Sequence, residues 1–288
     1  MRSAPGRSET DYTRLRSTRI VEEAYRRYHH PRYIHPDPLE IVLRYPRGDD
    51  REVAGIICAS FALGRVRSIL RACSEVLARL DDAGAPGPAA VLRNAGRDEL
   101  EQRFEGFVYR FFGSREASGF LFAVGETLRR YGSIESAFIR HFSPADPNVL
   151  PALGRFSEEL SAYAEGRHGL LIARVARGSA AKRWHLFLRW MVRADGIDPG
   201  GWSRVPASHL VVPMDTHMHR ICTVLGLIAR RNADEKATVA ATEFFRTLDP
   251  TDPVRFDFSL SRMGIHPQVA REGESILSGA KPGFSIHV

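Results

Sequence analysis

Apolar residues recur at helical spacing along most of this chain. Ile20, Ala24 and Tyr28 share one face of a short helix ahead of Asp37. The stretch Asp49-Asp50-Arg51-Glu52 supplies caps for a strongly apolar helix over 52–63. A second helix over 66–80 places Ile69, Leu70, Cys73, Val76, Leu77 and Leu80 on its inner side. A Gly/Pro/Asp stretch at 81–88 reads as a loop. Helical periodicity then covers roughly 89–94, 98–104, 116–131, 133–141, 149–164, 180–194, 215–227, 233–247 and 253–263. Runs such as Leu210-Val211-Val212 are too short to build a sheet, and no hairpin dipeptide pairs them. The pattern predicts an all-α protein, with residues 1–18, polar and aperiodic, expected to be disordered.

Composition changes this picture in one respect. The chain has 288 residues and a formal charge of +7, mostly from arginine, with a pI near 9.6. Such a surplus favours a polyanionic partner, because each neutralised phosphate releases counterions; a GC-rich genome produces the same bias. Cys58, Cys73 and Cys222 are scattered through apolar helical patterns, which predicts buried thiols in a reducing cytoplasm. With no cluster of four cysteines, neither an iron–sulfur cluster nor another cofactor is expected. The N-terminus has no apolar core of a signal peptide, and no run approaches the ~20 residues that span a bilayer. The expected location is the cytoplasm, in association with the nucleoid.

The helix at 180–194 carries the first candidate chemistry. At 100° per residue, Trp184, Phe187, Leu188, Met191 and Val192 form the buried arc. Lys182, His185, Arg189 and Arg193 fall within roughly 80° of one another, giving a basic stripe with Lys182 in the first turn. A solvated cationic face explains that stripe equally well. A lysine nucleophile, however, needs an environment that releases its proton, by desolvation or by neighbouring cations. Arg183, His185 and Arg189 are candidates for that neighbourhood, and the helix N-terminus favours a nearby phosphate.

Asp215 opens the next chemical segment. Met218, Ile221, Cys222 and Leu225 follow it at i, i+3, i+4, i+7 spacing, and Gly226 marks a stop. Asp215 is therefore a helix N-cap, and one residue can serve as both cap and catalyst. His219 and Arg220 are candidates for phosphate contacts, and His217 for a hydrogen bond within the turn. Metal ligation by these histidines, with His29, His30 and His35, competes; lacking a His-Glu-x-x-His arrangement, no metal site is expected. Trp202 follows two glycines in a loop and is the tryptophan expected to be exposed as a stacking surface.

The segment Met214-Asp215-Thr216-His217-Met218-His219-Arg220, followed by Leu225-Gly226-Leu227, resembles the Val-Asp-Thr-His-x-x-Arg stretch of the helix-hairpin-helix DNA glycosylase superfamily. Lys182 matches that superfamily's upstream lysine. The Lys–Asp separation looks more like the archaeal 8-oxoguanine glycosylase branch. Lys182-Arg183, Phe187 to Arg193 and Asp249 to Pro253 resemble a bacterial family of conserved hypothetical proteins in the same superfamily, from about Tyr28 to Ile265. The resemblance implies two helical domains flanking a cleft, residues 50–165 forming one, and 19–49 with 166–288 the other. It implies a monomeric base-excision enzyme acting on duplex DNA with a damaged base. In it Lys182 would form a Schiff base and Asp215 would assist. The hairpin is degenerate, because only Gly178 precedes Ser179 and Lys182, leaving Ser179 or Arg177 to meet the phosphate. Gly64 and Arg65 occupy the family's cleft segment, where a residue enters the duplex. Asp257 stands where the archaeal branch places a pocket aspartate, which suggests oxidised purines. Two other readings stay open: a non-catalytic protein recognising damaged or abasic DNA, and an all-α enzyme or scaffold unrelated to nucleic acid.

Overall fold

A computed structural model describes residues 9–81, 85–175, 178–266 and 268–278. The helices are α1 (Glu9–Tyr28), α2 (Leu39–Val42), α3 (Asp49–Ser60), α4 (Val66–Leu80), α5 (Pro88–Asn94), α6 (Arg97–Arg103) and α7 (Ser114–Tyr131). They continue with α8 (Ile134–Ile139), α9 (Leu150–Tyr163), α10 (Lys182–Val192), α11 (Thr216–Val224), α12 (Glu235–Leu248), α13 (Asp257–Ile265) and α14 (Ala270–Ser278). Between α6 and α7 lies an antiparallel pair, β1 (Val108–Tyr109) and β2 (Phe112–Gly113). The protein is thus mostly helical, as the periodicity predicts. Among the described residues no helix is long and apolar enough to cross a membrane. The three cysteines are buried thiols.

The apolar spacing that defines each helix also decides what it packs against. From Glu52 to Ser60 α3 is buried all round, and it lies against α10 on one side and α2, α4 and α5 on others. Gly55 permits the approach to α10: a Cβ there would stand 2.9 Å from Met191 and 3.3 Å from Phe187. α1 lies on α13, and α13 also packs against α11 and α14. Buried side chains of α3, α7, α10 and α13 belong to one continuous apolar cluster.

Four local departures from the sequence expectation have physical causes. Helix α1 starts at Glu9 rather than after residue 18; residues 1–8 lie outside the described residues. Its early turns are anchored because Ser17 is buried and donates to the Leu225 carbonyl at 2.6 Å. α3 ends at Ser60 instead of 63, so Leu63 and Gly64 become loop, with Gly64 at a positive φ of 119°. The β1–β2 pair is too short for alternation to announce. Finally, α14 adds a helix beyond 263 that the periodicity did not suggest.

Candidate active site

Lys182 is the first residue of α10, after Ala181 in the left-handed region (φ 44°). Ser179 Oγ accepts the Ala181 N–H at 3.2 Å, and Glu235 N donates to the Gly178 carbonyl at 3.0 Å. Trp184 Nε1 donates to the Ala173 carbonyl at 2.7 Å, tying the turns before Lys182 onto α10. Residues 164–175 form turns and irregular chain, and Arg177 lies outside the described residues.

Asp215 arrives from the opposite side. The buried run Val211–Met214 leads to it, with Val212 N donating to Thr242 Oγ1 of α12 at 3.1 Å. Asp215 Oδ1 accepts the Met218 N–H at 2.8 Å as the N-cap of α11, docked by Met218, Ile221 and Cys222. Its other oxygen, Oδ2, is 2.9 Å from Lys182 Nζ. Cap and ion pair therefore use different oxygens of one carboxylate. Burial pushes the Asp215 carboxyl up. The Lys182 charge and the Met218 donor outweigh it and hold the group below the usual carboxylate range. Both side chains keep a solvent path, 35% exposed for Lys182 and 25% for Asp215.

The pair borders a cavity of about 830 Å³. Leu63, Gly64, Arg65 and Val66 form one rim, Leu186 and Met214 supply apolar wall, and Asp257, Arg189, Arg262 and Asp37 supply charge. Within that wall, Arg189 pairs through Nε with Asp198 Oδ1 at 3.1 Å and through a second nitrogen with Asp257 Oδ2. Arg193 pairs with Asp198, with Asp252 at 3.0 Å and with Asp195 at 2.5 Å, and His29 Nε2 lies 2.9 Å from Asp195 Oδ2. Arg262 pairs with Asp37 at 2.5 Å. Asp257 Oδ1 has no hydrogen-bond partner among the described residues.

Several expectations need correction. His185 is not a cation beside Lys182: it is 1% exposed, and burial pushes its imidazole down to about 3. Arg189 does not reach for phosphate, because it is buried in its ion pairs. Arg183 donates to the Ser60 carbonyl at 2.6 Å and to the Leu170 carbonyl, which binds it to the protein's own backbone. Trp202 is buried, not a displayed stacking surface. Its ring meets Phe138 and Phe187, and its Nε1 donates to Glu52 at 2.6 Å. His219 Nε2 donates to the Arg230 carbonyl (2.9 Å), and Arg220 approaches Glu274 at 4.0 Å. Arg65, Ser179 and His217 are exposed; Arg65 and His217 line the cavity. Gly64 has a backbone reason: a Cβ there would overlap the Arg110 guanidinium.

Sequence reading missed Asp37, Asp198 and Arg262. A signal existed for Asp198. Arginines at i, i+4 beside a buried arc need carboxylates, and Asp195 and Asp198 follow immediately. Asp37 and Arg262 lie 225 positions apart and carry no such local sign.

The family described as "Protein of unknown function (DUF2400)" matches residues 37–266. The chain belongs to this family. No curated protein and no solved structure matches the chain. The DUF2400 span begins at Asp37 and ends at His266, both on the cavity wall, and contains Lys182 and Asp215.

Proposed function

We propose that the protein is a DNA N-glycosylase with associated abasic-site lyase activity, in which Lys182 attacks and Asp215 assists. The observation that carries the reading is the 2.9 Å approach of Lys182 Nζ to Asp215 Oδ2 at the mouth of an 830 Å³ cavity. A cavity of that size suits a nucleotide turned out of a duplex. The exposed Arg65 on its wall, Arg67 and Arg71 on the adjoining helix α4, and the +7 charge suit the phosphates on either side. In this reading the cavity is the cleft of a helix-hairpin-helix glycosylase-like arrangement.

The chemistry follows from the pair. Asp215 Oδ2 accepts the ammonium proton, and the free Nζ attacks C1′ of the sugar. The glycosidic bond breaks with its electron pair on the base, which is protonated by water. A proton passes from the attached nitrogen to O4′, which leaves C1′ as the ring opens to an iminium, and loss of a C2′ proton to water expels the 3′ phosphate. Once it has passed that proton on to water, the Asp215 carboxylate also stabilises the positive charge that develops on the sugar. Asp257, with one oxygen bound by Arg189 and the other unpartnered, offers an acceptor to a base N–H, as an oxidised purine presents.

Borohydride with duplexes carrying 8-oxoguanine, uracil, an alkylated base or an abasic site tests this directly. The expected result is a reduced protein–DNA adduct mapping to Lys182. No adduct on any duplex would overturn the lyase reading, and salt-sensitive binding without an adduct would favour a recognition protein.

Asp215→Asn separates cap from catalyst. Asparagine caps helices as well as aspartate, so its melting temperature is expected to match the wild type. Single-turnover base release should fall by roughly 10²–10³-fold. A variant that melts early and keeps its rate would make Asp215 a cap alone.

A further inference from the structure

The chain between β1 and β2 reverses on two residues, Arg110 and Phe111. Around that turn, burial divides cleanly. Phe107, Tyr109 and Phe112 are buried and gather around Phe61 at ring distances of 5.9–6.0 Å. Val108 and Phe111 are 70% and 71% exposed. The core makes no use of the Phe111 ring, whose neighbour is the Arg110 guanidinium, 5.3 Å from its centroid. Arg110 sits at φ 55°, a left-handed conformation unfavourable for a residue with a Cβ.

The surroundings hold the turn in place. Tyr109 Oη donates to the Leu63 carbonyl at 2.7 Å, and Arg110 donates to the same carbonyl at 3.4 Å. Gly64 leaves room for the guanidinium. Leu63 and Gly64 line the cavity that holds Lys182 and Asp215, so the turn that carries Phe111 is fastened to its wall. Arg65 lines the cavity, Arg110 lies against Gly64, and Arg67 and Arg71 follow on α4; all four are exposed and none makes an ion pair with a described residue.

We infer that Phe111 is an intercalating side chain, which enters the base stack and fills the gap left by a nucleotide turned into the cavity. The inference rests on the proposed reading of that cavity. Turning a nucleotide out leaves the faces of its neighbours open to water, and an inserted aromatic ring restores stacking on both. The four arginines carry the charge to hold the flanking phosphates, and an anchored turn presents the ring without further ordering. A polyanion with stacked rings matches this combination of apolar tip and unpaired cations better than a protein surface does.

The full-length protein would be titrated with a duplex carrying a tetrahydrofuran abasic analogue beside 2-aminopurine, and with the intact duplex. Phe111→Ala is expected to weaken binding to the analogue duplex by roughly 10- to 100-fold. Intact-duplex affinity should change less than about twofold, since phosphate contacts dominate it. The aminopurine emission change on binding should vanish in Phe111→Ala and return in Phe111→Trp. The exposed position makes an unchanged melting temperature the expected control. Equal binding and emission in wild type and Phe111→Ala would overturn the inference. So would a Phe111-dependent self-association in sedimentation without any effect on DNA. Borohydride trapping keeps the two readings apart. Equal trapping by wild type and Phe111→Ala on a base-lesion duplex would remove the wedge and leave the chemistry. Phe111-dependent emission without any adduct would remove the chemistry and leave the wedge. Absence of all DNA binding would remove both.

Discussion

Lys182→Arg is expected to leave duplex binding and thermal stability near wild type and to eliminate the borohydride-trapped adduct. Arginine keeps a cation opposite Asp215 Oδ2, and its planar guanidinium suits a carboxylate. It does not deprotonate in proteins, so no neutral amine attacks C1′. Base release with strand nicking should fall on the order of 10³-fold or more, the loss typical of removing a nucleophile. Lys182→Ala should lose the same chemistry and the ion pair with it. That pair is partly exposed, so its contribution to stability is at most about 1 kcal/mol. Gel analysis of adduct and nicked strand, beside a melting curve, reads both quantities. Retention of the adduct by Lys182→Arg would place the Schiff base on another amine.

Asp198→Ala should be the more damaging change to the fold, although its side chain is fully buried and does not line the Lys182 cavity. It holds Arg189 and Arg193, whose side chains are 3% and 1% exposed. Removing one partner from a buried ionic network leaves charge uncompensated and costs about 3–5 kcal/mol. Against a usual total of about 5–15 kcal/mol, that is a large fraction, and the melting temperature should fall by roughly 6–15 °C. Glu75→Ala, which breaks the exposed i, i+4 pair with Arg79, should cost no more than about 0.5 kcal/mol. Equal melting temperatures for the two variants would show that the network contributes no stability. Arg189 also holds Asp257 in the cavity wall, so Asp198→Ala is further expected to reduce trapping.

Much of α10 was legible because one period governs it. Trp184, Phe187, Leu188 and Met191 are buried where the arc put them. The same period failed for the polar stripe. It separates faces of a helix, but it does not say whether carboxylates arrive from elsewhere to neutralise a face. Asp252 and Asp257 come from beyond α12, and with Asp195 and Asp198 they turn a basic stripe into a buried network. Trp202 shows the same limit. Its Gly-Gly-Trp setting reads as exposed loop, whereas Glu52, 150 positions earlier, accepts its N–H. Asp215 was legible for a local reason, since a cap is defined by the residues that follow it. Its approach to Lys182 followed only from the glycosylase resemblance. The β1–β2 turn had no such aid, with two residues in each strand.

The cavity wall also sets an order of events on the ribosome. Asp37 leaves the exit tunnel long before Arg262, its partner 225 residues later. At roughly 5–20 residues per second, the wait is roughly 10–45 s. From the time they emerge until residues 252–257 follow, Arg189 and Arg193 meet Asp195 and Asp198 alone, and the Asp257 side of the wall does not yet exist. A nascent chain halted before α13 therefore carries Lys182 and Asp215 without an enclosed chamber between them. The chamber closes late in synthesis, when α13 joins a site whose lysine and aspartate are already in place.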